Sequence, residues 1–131
     1  GVEQTGRART VNREKLQFET LLAELKDPAS FRSRVFYPYL KMIKVRSGQK
    51  AFHPNAPFEI LELDPRIFAI KRDADDQTVY ALTNISAAEI SLSLSQKVTP
   101  DRMTDLITGE TVNTDLFTLK PYQYAWLTAD K

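Results

Sequence analysis

The fold class predicted by this sequence is mixed: an N-terminal helical segment followed by an all-β antiparallel sandwich. Three observations predict it. Apolar residues fall at helical spacing up to about residue 47 and at alternating spacing from Phe58 onward. Beyond Phe58 the apolar runs are short and separated by turn residues, the pattern of a sandwich. The two regimes meet in residues 49–57, a stretch broken by Pro54 and Pro57. Residues 1–57 and 58–131 are therefore expected to be separate domains.

Residues 1–12 are polar, lack a hydrophobic period and read as a loop. Helix is predicted over 13–47, with Asn12 as its N-cap and Glu14 and Glu19 at early positions where the helix dipole favours acids. Leu16, Phe18, Leu21, Leu22 and Leu25 form its apolar stripe. Asp27-Pro28 divides the segment, Asp27 capping a second helix and Pro28 taking its first position. Phe31, Val35, Tyr39, Met42 and Ile43 continue the helical spacing. Pro38 lacks a backbone donor, so a kink or a delayed start is expected there. Gly48 ends the helix.

Strands are predicted at 58–63, 66–72, 77–85, 88–95, 103–107, 110–113 and 116–128, the last broken near Pro121. Ile90, Leu92 and Leu94 alternate with Ser91, Ser93 and Ser95, which describes a strand with one wet face. Residues 67–70 and 79–82 are apolar on both faces and should be central. Asp73 to Asp76 reads as a hairpin loop between them, and Thr108-Gly109 as a tight turn.

Eighteen Lys and Arg against 17 Asp and Glu, a net charge of +1, give no reason to expect nucleic acid or an anionic membrane as partner. The charge is divided, however. Residues 1–57 are net basic and 58–131 net acidic, as if the halves docked on each other or the basic half faced something else. Without cysteine there is no disulfide, thiolate metal site or thiol nucleophile, and the composition suits the cytoplasm. No apolar run approaches a membrane span, and no signal peptide is visible. The opening Gly1 to Thr5 reads as a cleavage boundary.

His53, the single histidine, lies in the connecting loop before Pro54 with no nucleophile or acid beside it, so a structural role is expected. It leaves transition-metal binding without support. Asp73, Asp75 and Asp76 lack the glycine and distal glutamate of a calcium loop and read as a solvated hairpin tip. Tyr122, Tyr124 and Trp126 alternate along the last strand. Exposed, such a row would stack on sugar rings; buried, it is core, which nearby Leu119 and Leu127 favour. Arg7, Arg9 and Arg13 form a basic patch that fits a phosphate, a nucleic acid or a solvated loop; the lack of interleaved aromatics counts against single-stranded nucleic acid.

Residues 5–13, Thr5-Gly6-Arg7-Ala8-Arg9-Thr10-Val11-Asn12-Arg13, resemble the Gly-Arg-Asp-Ile-Asn-Arg loop of the sucrose phosphorylase branch of glycoside hydrolase family 13, the α-amylase family. Residues 46–57 resemble the segment leaving the last barrel helix in that branch's phosphorylases. Residues 67–85 resemble the opening hairpin of the α-amylase C-terminal β domain, and 105–112 and 119–127 its closing strands. The order of these five stretches is more specific than any one.

The resemblance implies that residues 1–57 are the end of a catalytic barrel and 58–131 a C-terminal sandwich packed on it. It also implies a parent enzyme that binds a glucoside and phosphate and transfers glucosyl with retention, using two carboxylates about 5 Å apart. Those carboxylates sit in a barrel of about 250 residues, and none of the carboxylates here matches them. Arg9 resembles the arginine that contacts the glucosyl ring, with Asn12 and Arg13 in support. Arg7 remains an alternative, although the spacing to Asn12 favours Arg9. Thr10 replaces the acidic residue of sucrose phosphorylases, which favours a relative such as a glucosylglycerate or sucrose-6-phosphate phosphorylase. An independent carbohydrate-binding or interaction module is the competing reading, against which the two helices ahead of the sheet count. No cofactor is implied.

Cut from its barrel, the helical segment should expose apolar surface around Leu21, Leu22, Leu25, Val35 and Met42, and self-association is expected. The purified chain is expected to show no turnover above the uncatalysed blank when assayed with sucrose-type glucosides and phosphate.

Overall fold

The computed structural model describes residues 1–95, 97–98 and 101–129. They form two compact units, residues 1–41 and 42–131.

The first unit holds a one-turn helix α1 (Val2–Thr5), a 3-10 turn (Ala8–Thr10), helix α2 (Phe18–Lys26) and most of helix α3 (Phe31–Ser47). Three expectations are corrected. Residues 2–5 and 8–10 are helical turns rather than loop. Asn12 caps nothing: the helix begins at Phe18, because the Gln4 side chain pairs with both the N–H and the C=O of Lys15 and keeps them out of a helical ladder. Pro28 lies in a turn rather than inside a helix. The cap of α3 is Ser30, whose hydroxyl accepts the Ser33 N–H at 3.0 Å and donates to Glu24 O, while Asp27 accepts the Ala29 N–H in the turn. Helix α3 runs through Pro38 to Ser47.

The second unit is the sandwich. Strands β1 (Phe58–Ile60), β2 (Ile67–Ala74), β3 (Gln77–Asn84), β5 (Arg102–Asp105), β6 (Thr111–Asn113) and β8 (Tyr124–Ala129) form one sheet in the order β1-β2-β3-β8-β5-β6. Strands β4 (Ile90–Leu92) and β7 (Phe117–Leu119) form the other. Every pairing is antiparallel. The doubly apolar runs are central, as their composition requires, and Asp75-Asp76 closes the hairpin between them.

Between the sheets lies one core. Tyr80, Leu82, Met103, Ala125 and Leu127 of the large sheet meet Ile90, Leu94, Phe117 and Leu119 of the small one. Ser91 and Thr118 face outward and share a hydrogen bond of 2.9 Å, so the small sheet turns hydroxyls to water. The aromatic row does not join this core. In β8 it is Ala125 and Leu127 that point inward, leaving Tyr124 and Trp126 half-buried on the opposite face, while Tyr122 precedes the strand with φ 57° and is 67% exposed.

Three buried or half-buried polar groups fix the connections. Asn84, fully buried, donates to the carbonyls of Ala88, Leu119 and Lys120 and accepts from the N–H and hydroxyl of Ser86. Asp105, also buried, accepts from Ile107 N–H, Trp126 N–H and the Thr108 hydroxyl, which sets the turn closed by Gly109 at φ 80°. Arg72 donates to the carbonyls of Ala51, His53 and Ala56, clamping the segment that enters the sandwich. Phe52 is thereby laid on Trp126, ring centroids 4.7 Å apart, with the Arg46 guanidinium carbon 5.1 Å from the Phe52 centroid.

Replacing Asn84 by Asp keeps the shape and removes the donors, leaving the carbonyls of Ala88, Leu119 and Lys120 at the small sheet unmet. A loss of about 3 kcal/mol in denaturant-unfolding stability at neutral pH is expected. Ser91→Asn, on the wet face, should change it by less than about 0.5 kcal/mol.

Candidate functional site

The residues singled out by the sequence fall in one closed loop of the first unit. Gln4 clasps it: its side-chain N–H donates to Lys15 O at 3.2 Å and its side-chain oxygen accepts the Lys15 N–H at 3.0 Å. Gly6, at φ 67°, turns the chain out of α1 and donates its N–H to Val2 O at 2.7 Å. The Thr5 hydroxyl accepts the Arg7 N–H, and the Thr10 hydroxyl donates to Arg7 O at 2.7 Å while lying against Thr5 Oγ1. Arg13 N–H donates to Thr10 O. The backbone around the arginines is thus tied by threonines and a glutamine, Thr10 among them.

Arg9 sits on the 3-10 turn, Arg7 just before it and Arg13 after it; all three are exposed, as is Asn12. Among the described residues, no hydrogen bond or ion pair engages the three guanidinium groups or the Asn12 side chain. An arginine offers a rigid fork of five donors that stays charged at any relevant pH, so the loop presents unused donor capacity. Two carboxylates nearby in sequence are spent elsewhere: Glu14 and Glu24 both bind Arg32, whose pKa is raised by its hydrogen bond to Glu14 first. That pair of contacts anchors the far end of the loop to α2 and α3.

The other sequence candidates resolve into structural roles. His53 Nδ1 accepts the Asn55 N–H at 3.2 Å in the linker. Asp73 accepts the Thr78 hydroxyl and pairs with Lys71, and Asp76 binds Lys50 at 2.6 Å. These pairings account for Asp73 and Asp76 as hairpin structure. Residues that sequence reasoning passed over are Gln4, Arg72, Asn84 and Asp105. A polar residue inside an apolar strand run was the available signal for the last three; Gln4 carried none, because its partner is backbone eleven residues away.

The fold of the second unit defines a class of protein. Residues 58–126 match the family model described as maltogenic amylase, C-terminal domain, and the chain belongs to that family. The resemblance to the C-terminal part of glycoside hydrolase family 13 is thereby borne out. Among curated proteins the chain is similar to a glucosylglycerate phosphorylase of Spirochaeta thermophila, 39% identical over 98% of the chain and 24% of that protein. It is also similar to a glucosylglycerate phosphorylase of Allomeiothermus silvanus, 36% identical over 97% of the chain and 21% of that protein. The chain therefore spans under a quarter of the length of these relatives. The solved Anoxybacillus α-amylase shares the fold, with a TM-score of 0.62 at 16% identity over 72% of the chain and 22% of that protein. Among the described residues, no helix is long and apolar enough to cross a membrane.

Gln4→Ala should open the clasp. The Lys15 amide is expected to exchange with solvent roughly fivefold to tenfold faster, about the value of one hydrogen bond, while amides of β3 keep their protection.

Proposed function

We propose that this chain is the non-catalytic C-terminal portion of a glucosyl-transferring sugar phosphorylase, a retaining enzyme acting on sucrose-like α-glucosides or glucosylglycerate. In this reading residues 1–57 close the catalytic barrel, 58–131 form the sandwich that stabilises it, and the parent takes a glucoside and phosphate in the cytoplasm. The observation that carries the proposal is the reach of the likeness: it runs over 97–98% of the chain, through the arginine loop and both helices, where a free-standing module would share the sandwich alone.

The first unit supports the same reading. Its sole buried residue among those described is Ser33, while Leu16, Phe31, Val35 and Tyr39 line a cavity of about 730 Å³ and are each more than 40% exposed. Leu22 is exposed as well, and Leu21 and Leu25 are half-buried, as is Met42 where the second unit begins. Helices this apolar belong against another layer.

In the parent, Arg9 donates to hydroxyls of the glucosyl ring in the donor subsite. A bond from a charged donor contributes about 1.5–3 kcal/mol where water is excluded. Arg9→Ala in the full-length enzyme is therefore expected to lower kcat/KM roughly 10- to 100-fold, and Arg7→Ala to do less. Thermal unfolding should barely move, because the loop buries little. If Arg7→Ala is the crippling change, the arginine register is off by two; if neither matters, the basic patch is a solvated lead-in to the helix.

A further inference from the structure

Residues 1–13 carry three arginines, Arg7, Arg9 and Arg13, against one acid, Glu3. The backbone does not hold the outer two alike. Arg7 is bonded on both sides of its own Cα. Its N–H donates to the Thr5 hydroxyl at 3.3 Å, and its C=O accepts the Thr10 N–H at 3.0 Å and the Thr10 hydroxyl at 2.7 Å. Arg13 is tied through its N–H, on Thr10 O at 2.9 Å. Arg7 is extended, with φ −108° and ψ 122°, immediately before the turn that carries Arg9. Its side chain is exposed and, among the described residues, in no ion pair. A backbone held at both its polar groups thus carries a cation that the loop itself does not use.

Resting on the proposed phosphorolysis of glucosylglycerate, we infer that Arg7 is the binding residue for the oxyanion beside the glucosyl ring, engaging first the carboxylate of the acid that leaves and then the phosphate that replaces it. In a retaining displacement the leaving oxygen departs from the anomeric carbon, and the incoming oxygen later bonds to that carbon on the same face. The glycerate oxygen takes up a proton as its bond breaks, and phosphate gives one up as its bond forms. Glucosylglycerate and phosphate thereby become glycerate and glucose 1-phosphate. Both groups that visit that face are anions, and they visit it in turn. One fixed guanidinium serves both, because its fork of donors matches carboxylate and phosphate alike. Two residues of chain span at most about 7 Å, so an acid joined to a ring held at Arg9 lies within reach of the Arg7 side chain. The bonded backbone spares the loop an ordering cost as the anion arrives, and Arg7 has no carboxylate partner among the described residues for the anion to displace.

The test uses Arg7→Ala in the full-length enzyme, a change that keeps all three backbone bonds of residue 7. Calorimetric titration gives the Kd of glycerate and of inorganic phosphate. Hydrolysis of 4-nitrophenyl α-glucoside in phosphate-free buffer supplies a reaction with no anionic substrate. Arg7→Ala is expected to weaken both Kd values roughly fivefold, the value of one exposed ion pair, and to change kcat/KM of the hydrolysis by less than about twofold. Equal loss in the anion-free hydrolysis overturns the inference, because Arg7 then holds the sugar ring or the loop. An unchanged Kd for either anion overturns it too, as does a wild-type enzyme that binds neither. A wild-type enzyme that makes glucose 1-phosphate from glucosylglycerate, with both Kd values untouched in Arg7→Ala, loses the role of Arg7 alone. One that makes none, yet binds both anions through Arg7, loses the proposed reaction and keeps the anion site.

Discussion

The Asn84 side chain, without solvent exposure at the end of β3, has to place two N–H hydrogens and a carbonyl oxygen inside protein. It does so across the gap between the sheets, donating to Ala88 ahead of β4 and to Leu119 and Lys120 at the end of β7, while its oxygen holds Ser86. The small sheet has three residues in each strand, too few to hold a position by ladder bonds alone. Hydrophobic contact between Leu82 and Leu119 favours closeness but tolerates sliding, whereas a buried amide with fixed partners does not. The register that puts Ile90 and Leu94 inward and the serines outward depends on that one side chain. Once it is set, Asp105 fixes the turn that feeds β6, and Arg72 fixes the linker on the far side of the large sheet.

Strand existence was legible because alternation reports burial directly. Ile90-Ser91-Leu92 and the doubly apolar Val79 to Leu82 leave little freedom in which face is wet and which strands are central. The aromatic row was misread for a related reason. Alternation says that Tyr124 and Trp126 share a face, but it does not say which face, and size alone favoured the core. Small Ala125 and Leu127 fill the inter-sheet space instead, where Tyr80 and Met103 already supply bulk. Trp126 finds its cover from Phe52, more than seventy residues earlier in the chain.

The helical segment was legible in content and not in boundary. Propensity and spacing from residue 13 are helical, yet Gln4 takes both backbone groups of Lys15 and delays the helix to Phe18. The true cap of α3 was hidden by Asp27-Pro28, whose composition reads as a start although Ser30 does the work three residues on. At the arginine loop, the sequence displayed the residue types while the structure supplied part of the reason they remain available: Glu14 and Glu24 are committed to Arg32, and threonines hold the backbone.

The two units are incomplete in the same physical sense. A folded chain normally spends its large apolar side chains on its own core. The sandwich does this between its sheets, leaving no described buried side-chain polar atom without a partner. The first unit buries one serine, and the sandwich's outer face leaves Ile60, Phe68 and Ile85 in water. Polar satisfaction is therefore complete where apolar burial is not. Hydrogen bonds are satisfied locally, by neighbours such as Gln4 and Lys15 or Arg72 and Ala51, whereas apolar surface needs a second layer. A destabilised or misfolded segment would fail at both. One that fails only at burial is shaped for contact with another layer of protein, as Phe52 already supplies over Val79 within the second unit.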